Sequence, residues 1–178
     1  MKRTIAGLLV AGLFLAACEK SYKTYPSTVS GPGSDYTTFA TKPCGTVLTG
    51  TLAGITLAPG VYCFDAAATL TGLLTLDGTS NPSGTWLFRV GTTGVGALTG
   101  TTFNMVMAGG GNPCNVNWRV TDAITFTDSN IIGSFLAGKA ITLTGGTLQG
   151  QVWSQINAIT VTGTTAISCA PQLSPLNR

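Results

Sequence analysis

The sequence predicts an all-β chain wound as a β-solenoid (β-helix) of triangular cross-section, and three observations carry the prediction. The first is a repeat: "AITFTDSNIIG" (123–133), "AITLTGGTLQG" (140–150) and "AITVTGTTAIS" (158–168) write one eleven-residue phrase, with threonines fixed and apolar positions exchanged. The second is alternation at period two, which buries one set of side chains and exposes the other. The third is composition: 24 glycines and only 8% charged residues suit neither a helical bundle nor a charged disordered chain. A repeat this short cannot bury its apolar face alone, so neighbours must stack. A sandwich also accommodates short, regularly spaced strands. It does not require the same face to recur with matched identities, whereas stacked coils do, because equivalent side chains form ladders. A spacing of ~17–18 residues leaves room for three short strands and three turns per coil. Residues 44–170 then make about seven coils, a rod of roughly 30 Å.

Along the chain, "MKRTIAGLLVAGLFLAAC" opens with Lys2 and Arg3, continues as a short apolar run and ends Leu15-Ala16-Ala17-Cys18. The run is too short for a membrane span and reads as a secretory signal over residues 1–17. Cys18 after Leu-Ala-Ala resembles the lipobox of bacterial lipoproteins, which implies a lipidated Cys18 and an extracytoplasmic, membrane-tethered mature chain. Residues 18–43 read as tether, because Pro26, Gly31, Pro32 and Gly33 break any periodic pattern, although "SDYTTFATK" has room for one helical turn from Ser34. Residues 44–170 are the solenoid and 171–178 a tail. Its earlier coils are less regular but reuse a Leu-Thr-Gly start at residues 48, 70 and 98.

In the three repeats Ile124, Phe126, Ile141, Leu143, Ile159 and Val161 fall inward, and Thr125, Thr127, Thr142, Thr144, Thr160 and Thr162 outward. Asn130, Thr147 and Thr165, with Ser134 and Gln151, make a less uniform outward set that reads as solvated surface. Trp86, Phe88 and Trp118 read as buried packing, as do Tyr62 and Phe64. Trp153, if outward, suits stacking on a sugar or contact with a membrane.

Four cysteines follow Cys18, namely Cys44, Cys63, Cys114 and Cys169, and an even count in an exported chain suggests two disulfides with three connectivities open. Cys44–Cys63 and Cys114–Cys169 are favoured, since the first spans about one repeat and Cys169 is placed to pin the last strand.

"GITLAPGVYCF" (54–64), "LTLDGTSNPSGTWLFRVG" (74–91), "PCNVNWRV" (113–120) and "GSFLAGKAITL" (133–143) resemble, in order and at matching separations, signature segments of the microbial ice-binding protein family. The resemblance covers about residues 44–170. It implies a discontinuous right-handed β-solenoid with a helix along one side, and an ice crystal surface as partner. Two departures stand out. The family's N-terminal coils and lateral helix are replaced by signal and tether, so the chain reads as a reduced version or a truncated product, with residues 34–42 at most a stub of that helix. Val152-Trp153-Ser154 also stands where the family tends to write Leu-Ala. A missing N-terminal portion leaves a solenoid end to be covered by the tether, by a Cys44–Cys63 bridge or by a partner chain, because open strand edges invite pairing.

On stacked coils, Thr125, Thr142 and Thr160 form one file and Thr127, Thr144 and Thr162 the next, with files ~6.5–7 Å and ranks ~4.8 Å apart. Threonine is stiff at χ1, so methyls and hydroxyls stand in a nearly fixed array near the oxygen spacing of ice. Threonine is equally a good outward strand residue with no further role. The alternative function on this scaffold is a non-catalytic adhesion or glycan-binding module.

Catalysis finds little support. The sequence has no histidine, and its six acids (Glu19, Asp35, Asp65, Asp77, Asp122 and Asp128) place no two on one outward file of adjacent coils. The pattern implies no enzyme, no metal and no cofactor. "GGGNPC" (109–114) lacks the Lys-Ser/Thr of a phosphate loop and reads as a turn. With Lys2 and Arg3 set aside, seven basic residues face six acidic ones, which argues against nucleic acid.

Overall fold

The computed structural model describes residues 32–167. The expectations for residues 1–17, Cys18, the tether up to residue 31, Cys169 and the tail 171–178 lie outside them.

Parallel strands stack in three columns. Column one contains β1 (Thr46–Val47), β3 (Gly60–Phe64), β6 (Trp86–Val90) and β9 (Val116–Val120), then the second halves of β11 (Asn130–Ala137) and β13 (Thr147–Ser154). Column two contains β2 (Ile55–Leu57), β5 (Leu73–Asp77), β8 (Asn104–Ala108), the first halves of β11 and β13, and β15 (Thr165–Ile167). Column three contains β4 (Ala68–Leu70), β7 (Leu98–Thr101), β10 (Ile124–Thr127), β12 (Ile141–Thr144) and β14 (Ile159–Thr162). The fold is an all-β helix of curled parallel sheets. Five or six ranks stand in each column among the described residues, where about seven coils were expected. In every column the ranks follow sequence order, so the described coils are continuous; the discontinuity that the family resemblance implied is not present among them.

Columns one and two meet inside β11 and β13, at Gly133 and Gly150, which pair with each other. Gly133 has φ +114° and a Cβ there would stand 2.5 Å from the Val116 carbonyl oxygen, so the strand turns this corner only with glycine. The corner after column three uses left-handed backbone instead. Thr102 (φ 49°) and Asp128 (φ 48°) occupy it in the middle ranks, and Gly145 and Gly163 in the last two. A β-branched residue is strained there by ~1–3 kcal/mol. Thr102→Gly is therefore expected to stabilise the fold by about 1 kcal/mol, the entropy of a glycine in the unfolded chain offsetting the rest. A urea midpoint unchanged or lowered would contradict this.

The core fills with inward side chains. In column one Tyr62, Phe88, Trp118 and Phe135 are register partners and form an aromatic file, with ring centroids 5.4, 4.0 and 5.7 Å apart. Trp86, Phe88 and Trp118 are fully buried, and Tyr62 and Phe64 nearly so. In column three Ile124, Phe126, Ile141 and Leu143 are buried, but Ile159 (42% exposed) and Val161 (49%) are not. Their alternation points them inward; they are uncovered because among the described residues no coil lies beyond β14.

The N-terminal side departs from the expected tether. Residues 32–40 form a helix, α1 (Pro32–Ala40), docked along the outer face of column one. Tyr36 is buried, its hydroxyl donates to the Val120 carbonyl at 3.2 Å, and the Arg119 guanidinium sits 4.6 Å over its ring. Arg89 donates to the carbonyls of Ala40 and Lys42 at the helix's C-terminal end, where partial negative charge collects. Among the described residues a docked helix thus precedes the coils. Local sequence allowed no more than a turn or stub from Ser34, because the segment's threonines are weak helix formers and tertiary contacts hold the helix. Arg89→Met is expected to raise proteolytic cleavage near residues 40–43 several-fold with the coils intact; unchanged cleavage would show that Arg89 does not hold the helix's C-terminal end.

Cys44 and Cys63 form a disulfide that ties the segment after α1 to β3. Cys114 is also disulfide-bonded.

Candidate functional site

Column three presents the most uniform outer surface of the molecule. Its strands pair in register with no bulge, so Thr125 stands beside Thr142 and Thr142 beside Thr160, while Thr127, Thr144 and Thr162 form the second file. The first file continues through Thr99 to Thr69, and the second through Thr101. Nine threonines therefore share one face, three more than the repeats alone had indicated. All are exposed or half-buried. The signal for the extra ranks was "LTGT" at 98–101 and "ATL" at 68–70. Gly100 in the inward position hid it, because it breaks the apolar alternation. The Phe126 ring fills the space under that glycine, where a Cβ would stand 2.4 Å from the ring. Gly100→Val is expected to cost ~2–3 kcal/mol by overpacking and to push β7 out of the face; a variant with an unshifted melting midpoint would contradict this packing.

Hydrogen bonding separates this face from the other two. In column two Asn130 Nδ2 donates to Asn104 Oδ1 at 2.6 Å, and Thr147 Oγ1 to Asn130 Oδ1 at 2.8 Å. In column one Gln151 Nε2 donates to Ser134 Oγ at 3.1 Å. Those ladders are occupied by their own members. In column three the hydroxyl of Thr99 donates to that of Thr69 at 3.2 Å. Among the described residues, the hydroxyls of Thr101, Thr125, Thr127, Thr142, Thr144, Thr160 and Thr162 have no hydrogen bond within the protein. The mixed outward set also divides: Asn130, Thr147 and Thr165 lie on column two, whereas Ser134, buried, and Gln151 lie beyond the Gly133 corner on column one.

Ionisable groups stay off this face. Asp122 pairs with Lys139 at 2.9 Å at the corner entering β12, an exposed pair worth little in stability. Asp77, in a turn of column two, is held below the usual carboxylate range by the Thr79 hydroxyl and amide. Among the described residues no group of three or more His, Cys, Asp or Glu side chains gathers as a metal site would need. At the first rank, a cleft of about 440 Å³ opens between residues 47–51 and 64–69, lined by Val47, Leu48, Phe64, Asp65 and alanines.

Trp153 lies at the opposite end of the stack. Its ring meets Tyr36 at 5.8 Å, and Gly33 of α1 packs on it. The helix thus takes the surface that a sugar would need.

Comparison with known proteins places these features in context. A family model described as Ice-binding-like matches residues 17–167. The chain is 36% identical over 113 residues to an ice-binding protein of Nostoc sp. (strain HG1), covering 62% of this chain and 40% of that one. It is 32% identical over 109 residues to an ice-binding protein of Flammulina populicola, covering 60% and 42% respectively. Among solved structures, the ice-binding protein_1 domain of Shewanella frigidimarina superposes with a TM-score of 0.71 at 28% identity, covering 79% of this chain and 60% of that one. The chain spans less than half the length of the two curated relatives.

Proposed function

The chain belongs to the Ice-binding-like family, and we propose that it binds ice through the outer threonines of column three. The observation that carries this reading is the in-register double file of nine threonines, seven of whose hydroxyls have no hydrogen-bond partner among the described residues. Each such hydroxyl is free to anchor a water molecule, and each methyl excludes one. χ1 stiffness and backbone pairing fix the array before ice arrives, so little ordering cost remains at binding. Ranks ~4.8 Å and files ~6.5–7 Å apart lie close to repeats of the ice lattice. Affinity then grows with the number of ranks engaged, and the face acts as a unit.

The relatives' names, which speak of ice binding in those proteins, support the reading. A glycan-binding role has no comparable support, because α1 packs on half-buried Trp153 and Asn104, Asn130, Thr147, Ser134 and Gln151 pair among themselves. The reading makes the protein a binder and not an enzyme. It also keeps Cys18 as a lipidated residue, which places the coils outside the cytoplasm on a membrane; no helix among the described residues is long and apolar enough to cross one.

Thermal hysteresis and inhibition of ice recrystallisation by the Cys18→Ser chain test the proposal. Activity in both is expected, and a folded chain inert in both would contradict it. Because the sequence has no histidine, activity is expected to be unchanged from about pH 5 to 8. A titration in that window would implicate a group the proposal does not use.

A further inference from the structure

The last coil offers an interaction surface that the threonine face does not use. Among the described residues Ile156 (68% exposed), Ile159 and Val161 lie uncovered at its end beside the outer edge of β14, and Ile167 (61%) stands at its rim on the outer face of column two. From Ala140 to Asn177 the sequence has no charged residue. An apolar, uncharged end of this kind marks an interaction site.

The path of α1 indicates what meets it. Gly33 packs on Trp153 in the final rank of column one, while Ala40 and Lys42 receive Arg89 near the first ranks. The helix therefore runs from the last coil toward the first, and the chain preceding it enters at the open end. Residues 19–31 lie between Cys18 and that entry, a reach of at most ~45 Å. A lipid on Cys18 would keep this end, where the tether enters, within that reach of the bilayer.

We infer that the open end of the last coil, through Ile156, Ile159, Val161 and Ile167, rests on the lipid surface to which Cys18 is tethered, so that the solenoid stands end-on with column three rising from the membrane. This rests on the lipidation of Cys18 and not on ice binding. Contact is at headgroup depth, where water and polar headgroups satisfy the free strand edges and the apolar side chains reach the acyl boundary. The absence of acidic groups removes repulsion from anionic lipid.

Hydrogen exchange tests it on the full chain, processed in a bacterial envelope and reconstituted on vesicles of phosphatidylcholine and phosphatidylglycerol, against the Cys18→Ser chain in solution. Amides of residues 155–167 are expected to slow roughly tenfold on the vesicles and those of 46–57 not at all. The Ile156→Ser, Ile167→Ser double variant is expected to stay on the vesicles and lose the slowing. A last coil that exchanges equally in both settings would overturn the inference. So would a slowing that grows with protein concentration in solution, which would assign the end to a second copy. The mass of the Cys18 peptide reads the tether separately: an unmodified Cys18 sinks this orientation, while ice activity, measured on the Cys18→Ser chain, is unaffected.

Discussion

Thr142→Tyr is expected to abolish measurable thermal hysteresis and to weaken inhibition of ice recrystallisation by at least tenfold, a loss of ~1.4 kcal/mol or more in affinity. Thr142 stands between Thr125 and Thr160 in the first file, with Thr144 two residues along the same strand. A tyrosine there projects beyond its neighbours and holds a planar lattice off the ranks on both sides. Because the contacts act together, one raised point removes many of them. The fold is expected to survive, since the side chain points outward, is half-buried and meets a strand position where tyrosine is welcome. Thr69→Tyr, at the end of the file, should cost less, because a lattice can still seat on the remaining ranks. Circular dichroism separates loss of site from loss of fold; a folded Thr142→Tyr chain with full activity would move the site off column three.

The largest effect on stability is expected at Trp118. Its indole is fully buried between Phe88, 4.0 Å away centroid to centroid, and Phe135 at 5.7 Å. Trp118→Ala is expected to destabilise the chain by about 3–5 kcal/mol, because the stack loses its middle member and the parallel strands around it cannot close the cavity. Trp118→Phe supplies the informative contrast. The indole Nε1 is buried without a hydrogen-bond partner, and an unmet donor of that kind itself costs ~1–3 kcal/mol. Removing the donor offsets most of the lost volume, so Trp118→Phe should cost under about 1.5 kcal/mol. Equal losses in the two variants, measured by urea denaturation, would contradict this account of the file.

The regular half of the fold was legible residue by residue, the irregular half only through its Leu-Thr-Gly starts and the family segments. The phrases beginning at 123, 140 and 158 fall into register residue for residue, Ile124 beside Ile141 beside Ile159, because a coil without insertions carries its period in plain sight. Thr69, Thr99 and Thr101 belong to the same face but escaped it. Their coils carry long excursions between β5 and β6 and between β8 and β9, and Gly100 replaces an inward apolar residue so that Phe126 can lie beneath it. The helix, expected as at most a turn or stub from Ser34, was only partly legible for a different reason. "PGSDYTTFA" has little intrinsic preference for helix, and what holds it is distant in sequence: Val120, Arg119, Arg89 and Trp153. Trp153 itself, suited to a sugar or a membrane only if it faced outward, packs against that helix.

Ice is expected to meet column three and no other face. Uptake of fluorescently labelled chain into a slowly growing single-crystal ice hemisphere, compared between Thr125→Tyr and Gln149→Tyr, tests it most directly. Thr125 is central to the first threonine file, and Gln149 is an exposed residue on column two. The account predicts that the Gln149→Tyr chain is taken into the ice as the unaltered chain is, while the Thr125→Tyr chain is excluded. Exclusion of the Gln149→Tyr chain with normal uptake of the Thr125→Tyr chain would contradict it.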